Sequence, residues 1–246
     1  LLTTLLASDT ELTSIDLSSC IALEQLNLSN NQLTSLDVSL NTALDYLECN
    51  DNQLTILDMS GNTALTYLNC YNNQLTSLDL SANTALTELG CTNNQITSLD
   101  VSSNTALTNL YCSSNQLTSL DVSANTALTH LGCYYTQLTS LDVSNNTALT
   151  YLQAKDNHLT SLDVSSNPAL TTLNCGDNQL TYLNMRNGVT DQLTDFNATD
   201  NSNLTCIETL DSDYADSAWT NTNGNIDAGV TFDFICGSEA VTHWYV

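Results

Sequence analysis

Apolar side chains along this chain follow neither the 3.6-residue rhythm of a helix nor the plain alternation of a long strand; they return in the same order every 21 residues. Aligning Leu33, Leu54, Leu75, Ile96, Leu117, Leu138, Leu159 and Leu180 brings one phrase, approximately L-T-S-L-D-V-S-x-N-T-A-L-T-x-L-x-C-x-x-N-Q, into register eight times, and Leu12 opens a divergent earlier copy. In the copy from Leu54 to Gln74 the apolar positions are Leu54, Leu57, Met59, Ala64, Leu65, Leu68 and Cys70. Only Tyr67 to Tyr71 alternates, which predicts a short strand with Leu68 and Cys70 facing inward; the rest of the copy must bend. One such unit cannot enclose its own apolar residues, whereas stacked copies bury them between neighbours, so the pattern predicts a solenoid over residues 1–184. Residues 76–85 are too short and too rich in Ser, Thr and Asn for a full helix.

The segment L-x-x-L-x-C-x-x-N-x-L, as in Leu65, Leu68, Cys70, Asn73 and Leu75, resembles the leucine-rich repeat signature over about residues 5–184. The phrase is closest to the short repeats of secreted or surface-displayed bacterial proteins related to the internalin type. The resemblance implies a leucine-rich repeat solenoid with a parallel β-sheet on the concave face, turns or short 3₁₀ segments on the convex face, and no long α-helix.

Residues 21 apart should form columns along such a stack. One column contains Ala7, Leu28, Cys49, Cys70, Cys91, Cys112, Cys133, Ala154 and Cys175, and its tolerance of Ala and Leu marks an apolar slot. Six cysteines are therefore read as core thiols, with rung-to-rung disulfides or a metal or redox cluster as the lesser readings. A second column holds Asn31, Asn52, Asn73, Asn94, Asn115, Asn157 and Asn178, with Thr136 substituting once. The resemblance implies that this Asn turns inward and satisfies backbone groups at the bend after the strand, as a buried amide must. A third column is Asp16, Asp37, Asp58, Asp79, Asp100, Asp121, Asp142 and Asp163. Neighbouring carboxylates about 5 Å apart in water repel by roughly 0.8 kcal/mol, so compensation is expected. Either each Asp caps the turn ahead of it, or Ca²⁺ binds between rungs. Capping is the first expectation, because neither a calcium β-roll nonapeptide nor an EF-hand loop is present.

Composition changes the picture in one respect. Two Lys+Arg against 27 Asp+Glu give a formal net charge of −25, which repels nucleic acid and anionic membranes. No apolar run approaches the roughly 18 residues of a membrane span, so a soluble monomer is expected. The chain opens at Leu1 with neither a methionine nor a basic-then-apolar leader, from which a removed targeting segment is expected.

Periodicity fades after Asn184, and residues 185–246 form an acidic tail with Phe196, Trp219, Phe232, Phe234 and Trp244. An open solenoid end needs a cover, and this tail is read as that cap. Cys206 and Cys236 stand outside the repeat columns and are predicted to pair, which implies an oxidising compartment. The stretch from Asn197 to Glu208 is similar to the terminal caps of the same bacterial repeat proteins. Cys20 takes the place of the usual Asn of Asn-Thr-Ala-Leu without an evident role.

No catalytic constellation is recognisable: His130, His158 and His243 lack metal spacing, and Lys155 and Arg186 are too few for phosphate recognition. The positions that vary between copies are the outward strand positions, where seven of ten tyrosines lie on or beside one face. Tyr46, Tyr67 and Tyr71 form one cluster; Tyr111, His130, Tyr134, Tyr135, Tyr151 and Lys155 form another around Gly132. Rigid amphipathic tyrosines suit recognition, although strand preference alone also accounts for tyrosines on strands. The expected function is a noncatalytic extracellular recognition or adhesion module, secreted or at the cell surface, that binds a protein through the concave face. A glycan ligand is the first alternative and a structural spacer the second.

Overall fold

In each copy the alternating stretch becomes a three-residue strand whose middle leucine is buried, as at Leu47, Leu68, Leu89, Leu110, Leu131 and Leu152. The computed structural model describes residues 1–237; His243 and the tail's Trp244 lie outside the described residues. Ten of these strands, from Thr4–Leu6 to Asp195–Asn197, form one parallel sheet in chain order. Tyr46 pairs with Tyr67, Tyr67 with Glu88 and Glu88 with Asn109, so residues 21 apart stand side by side, about 4.8 Å from rung to rung. The sheet continues past Asn184, since Asp195–Asn197 pairs with Thr172–Asn174. On the convex side each copy turns back through tight bends, and the one 3₁₀ turn among the described residues is Thr190–Gln192.

The cysteine column is core. Cys49, Cys70, Cys91, Cys112, Cys133 and Cys175 are free thiols with no solvent exposure. Burial pushes the thiols of Cys49, Cys112 and Cys175 up to about 12, so they remain protonated and unreactive at neutral pH.

The asparagine column closes each bend. Asn94 Nδ2 donates to the carbonyls of Cys70, Cys91 and Thr92 at 3.1, 3.0 and 3.3 Å, while its Oδ1 accepts the Leu75 N–H at 3.0 Å. Asn52, Asn73, Asn115 and Asn157 donate in the same pattern. A second buried asparagine ladder escaped sequence reasoning. Asn62, Asn83, Asn104, Asn125, Asn146 and Asn167 each donate to carbonyls 24 and 21 residues earlier, as Asn83 does to Met59 at 3.1 Å and to Asn62 at 2.9 Å. Cys20 heads this column and contributes its carbonyl, which accepts from Asn41 at 2.9 Å, so no amide side chain is required there.

The aspartate column caps its turns. In all eight rungs the carboxylate accepts the backbone N–H of the serine two residues on, at 2.8 to 3.0 Å. Bonds from that serine's hydroxyl and backbone hold Asp16, Asp37, Asp100, Asp121 and Asp142 below the ordinary value of 3.8. For Asp58 and Asp79 the backbone bond is the larger cause. A carboxylate whose folded pKa is depressed stabilises above its unfolded value and loses that contribution as pH falls through the folded one. The melting temperature is therefore expected to drop as pH falls below about 4, the ordinary carboxylate value, and to stay put on adding a chelator at pH 7. A fall of several degrees with chelator would put Ca²⁺ on the column instead.

At the C-terminal end the Ser-Leu-Asp bend of earlier copies straightens into strand. Ser161–Asp163, Tyr182–Asn184, Cys206–Glu208 and Thr231–Asp233 form a second, four-stranded parallel sheet. The Cys206–Cys236 bond is present. Beneath it Trp219, buried between Phe196 at 4.6 Å and Phe232 at 5.8 Å, covers the end of the stack. The short helix Ser212–Ala218 is capped by Asp211, which accepts the Tyr214 N–H at 2.9 Å.

Candidate functional site

Alternation forces the first and third residues of each strand out onto the concave face, where they are half-buried by their neighbours along the column. Tyr46 and Tyr67, aligned by strand pairing, stack with centroids 4.4 Å apart and planes 7° from parallel. The Tyr46 hydroxyl donates to Glu48 Oε1 at 2.6 Å, and Asn27 Nδ2 donates to the other oxygen of that carboxylate. Burial and the Glu48 carboxylate together raise the Tyr46 phenol well above its usual range. Further along, His130 stacks on Tyr151 at 5.6 Å and Tyr134 meets Tyr135 edge-on at 5.7 Å. Lys155 is turned to the rim, where its Nζ reaches Asp177 at 3.2 Å and Asp156 at 3.5 Å.

The structure redraws the two clusters. Tyr111 lines a hollow of about 280 Å³ together with Tyr67 and Tyr71, and Glu88, Asn69, Gly90 and Thr92 complete it. Gly132 is not a bare platform, because a Cβ there would lie 3.2 Å from Tyr111 Cδ1; the ring rests against it. Gly132 is accordingly buried. Glu88, Asn69 and Gly90 were visible as outward residues, but nothing in the linear sequence singles out the glycine around which larger side chains gather.

Tyr135 stands apart. The residue after each strand's bend adopts a left-handed backbone, with φ of 53° at Asn30, Asp51, Asn93 and Asp156 and 51° at Asn72, Ser114, Tyr135 and Asp177. Asn and Asp tolerate this region through local hydrogen bonding, and a bulky aromatic does not. Tyr135 is also 54% exposed, so burial does not repay the strain. The next residue breaks pattern too: Thr136 replaces the inward Asn, its one hydroxyl proton shared between the Cys133 carbonyl at 3.0 Å and Asn157 Oδ1 at 2.5 Å.

The description "Leucine Rich repeats (2 copies)" matches residues 63–104 and 84–125, and "Leucine Rich Repeat" matches residues 22–42. No curated protein matches the sequence. Among solved structures, the functional domain of InlJ from Listeria monocytogenes, which includes a cysteine ladder, is 38% identical over 85% of this chain, with a TM-score of 0.76. This chain spans 55% of that domain's length. Internalin C2 of Listeria monocytogenes is 25% identical, covering 80% of this chain and 84% of its own, with a TM-score of 0.61. The ectodomain of the Arabidopsis thaliana receptor kinase GASSHO1/SCHENGEN3, solved in complex with CASPARIAN STRIP INTEGRITY FACTOR 2, shares the fold. There the identity is 24%, over 78% of this chain and 25% of that one, and the TM-score 0.69.

Proposed function

Because the chain is a bacterial, internalin-like leucine-rich repeat protein, we propose that it works as a noncatalytic recognition module, secreted or displayed at the cell surface, whose concave sheet binds a protein partner. Leucine-rich repeat domains are generally protein-interaction modules, and the plant receptor ectodomain of the same fold is solved with a bound partner. Residues in the buried columns are nearly invariant from rung to rung, whereas the concave positions differ and carry aromatic rings stacked in pairs, Tyr46 on Tyr67 and His130 on Tyr151. On the same side of the stack Tyr134 meets Tyr135 in the rung whose strand carries His130. Absence of a transmembrane-length apolar helix among the described residues is compatible with this placement.

The observation that carries the proposal is Tyr135. In one rung of the stack the fold accepts a left-handed aromatic and gives up an inward amide, and both departures lie beside the concave face. Strain retained at a side chain that stays 54% exposed, with the edge of Tyr134 as its ring contact, points to a further contact outside the chain. Replacing Tyr135 by Asn, the residue at the equivalent Asn72 and Asn93, is expected to stabilise the fold by about 1 kcal/mol and to weaken partner binding. Screening the protein against arrayed extracellular proteins and glycans identifies the partner; Tyr135→Asn and Tyr134→Ala/Tyr151→Ala are then compared with the parent. Full binding by both variants removes the concave face as the site, and exclusive capture of glycans moves the reading to a carbohydrate ligand.

A further inference from the structure

We propose that the hollow over Gly90 receives the basic side chain of a protein partner, an arginine or lysine held among the rings of Tyr67, Tyr71 and Tyr111 and neutralised by Glu88. The assignment rests on the concave-face reading and gives it a ligand chemistry.

Shape is the first support. A Cβ at position 90 would stand 2.8 Å from Asn69 Oδ1, so glycine keeps the floor of the hollow open. Tyr111 lies against Gly132 on its other side, which leaves it as a wall and not a lid. Two glycines in one column thus do different work: one makes room for the ring, the other for what the ring faces. Tyr67 is backed by the parallel ring of Tyr46, which fixes its orientation before anything binds.

Charge is the second. Aromatic faces attract ammonium and guanidinium groups, more strongly as water is excluded, and a carboxylate at the edge adds a full charge. Burial and then the charges of Glu48 and Glu88 raise the Tyr67 phenol; burial and then Glu88 raise that of Tyr111. The rings therefore stay neutral in a negative field. Among the described residues no cation answers that field: the chain's Lys+Arg number only two, with Lys155 bound to Asp156 and Asp177 and Arg186 to Glu208 at 2.8 Å. Among the described residues the hydrogen bond at the Glu88 side chain is a 3.4 Å contact from Asn109 Nδ2. At a net charge of −25 the whole molecule favours a basic partner, and this hollow is where one side chain of it fits. A neutral sugar could hydrogen-bond Glu88 through a hydroxyl but would leave its charge uncompensated, and would meet rings on several sides where it wants one flat face.

The test is an amide-resolved NMR titration of the intact protein with acetyl-Gly-Arg-Gly-amide, its lysine counterpart and its neutral citrulline counterpart. Saturable shifts at Gly90 and Thr92 are expected for the two basic peptides, with the citrulline peptide at least tenfold weaker. Glu88→Gln and Gly90→Gln should each weaken the arginine peptide at least tenfold without lowering the melting temperature; glutamine is already accepted in this column at Gln153. Equal binding of citrulline, shifts spread over the acidic surface with Gly90 unmoved, or an oligosaccharide alone moving Gly90 would each overturn the assignment. Silent peptides alongside a Tyr134→Ala/Tyr151→Ala variant that loses its partner would sink the basic side chain and leave the concave-face reading standing.

Discussion

Substituting Asn94 by alanine is expected to destabilise the solenoid by about 4 kcal/mol, since an unpaired buried polar group costs roughly 1–3 kcal/mol. The amide serves four backbone groups at once: the carbonyls of Cys70, Cys91 and Thr92 and the N–H of Leu75. Alanine leaves all four short, and partial relaxation toward water keeps the loss below their simple sum. The Asn94→Thr variant should lose less, because at Thr136 a hydroxyl already holds the same bend, its proton lying between the Cys133 carbonyl and Asn157 Oδ1. Urea unfolding of the three proteins checks the order; a loss under 1 kcal/mol for alanine would mean that the bends are held by packing alone. The effect should also spread, because Asn94 joins its own rung to the one before it, and a repeat stack unfolds through its weakest interface.

Breaking the Cys206–Cys236 bond should have the next largest effect. The crosslink spans 30 residues, for which the chain-entropy relation gives about 3.6 kcal/mol. What it closes is the cap: it ties the edge strand Thr231–Asp233 to Cys206–Glu208 and encloses the segment carrying Trp219. In Cys206→Ala/Cys236→Ala the cap should open before the repeats do. A Trp244→Phe background reports this through Trp219 fluorescence, whose transition should fall to lower urea and separate from the loss of far-ultraviolet signal. Coincident, unshifted transitions would show that the cap is held by its aromatic core without help from the crosslink.

How much of this could be read beforehand follows from which residues repeat. Leu68, Cys70, Asn73 and Asp79 recur at a fixed interval, so each declares its environment eight or so times over, and the stack, the thiol column and the capped turns were all legible. The pairing of Cys206 with Cys236 was legible for the opposite reason, as the two cysteines of the tail belong to no column. The Asn62 to Asn167 ladder recurs equally well but lies outside the L-x-x-L-x-C-x-x-N-x-L signature; the Asn73 column, whose partners are carbonyls too, was legible through that resemblance. The straightening of Ser161–Asp163 into strand depends on a neighbour, Tyr182–Asn184, that itself pairs with Cys206–Glu208 of the cap, and this is a tertiary effect. At the candidate site the tyrosines were visible, but their grouping was not. Whether Tyr111 belongs with Tyr67 or with Tyr151 is decided by a ring settling on Gly132, a contact between rungs that linear order does not contain.

The inward amides have a direction. Asn52 reaches back 24 residues to Leu28, Asn73 to Cys49 and Asn94 to Cys70, and the second ladder reaches back by 24 and 21. Every one of these partners precedes its donor along the chain. Each coil thus finds the acceptors for its inward amides in the coils before it, whereas its strand N–H groups, as at Cys49 and Cys70, bond to carbonyls of the coil that follows, so every rung is tied in both directions by different groups.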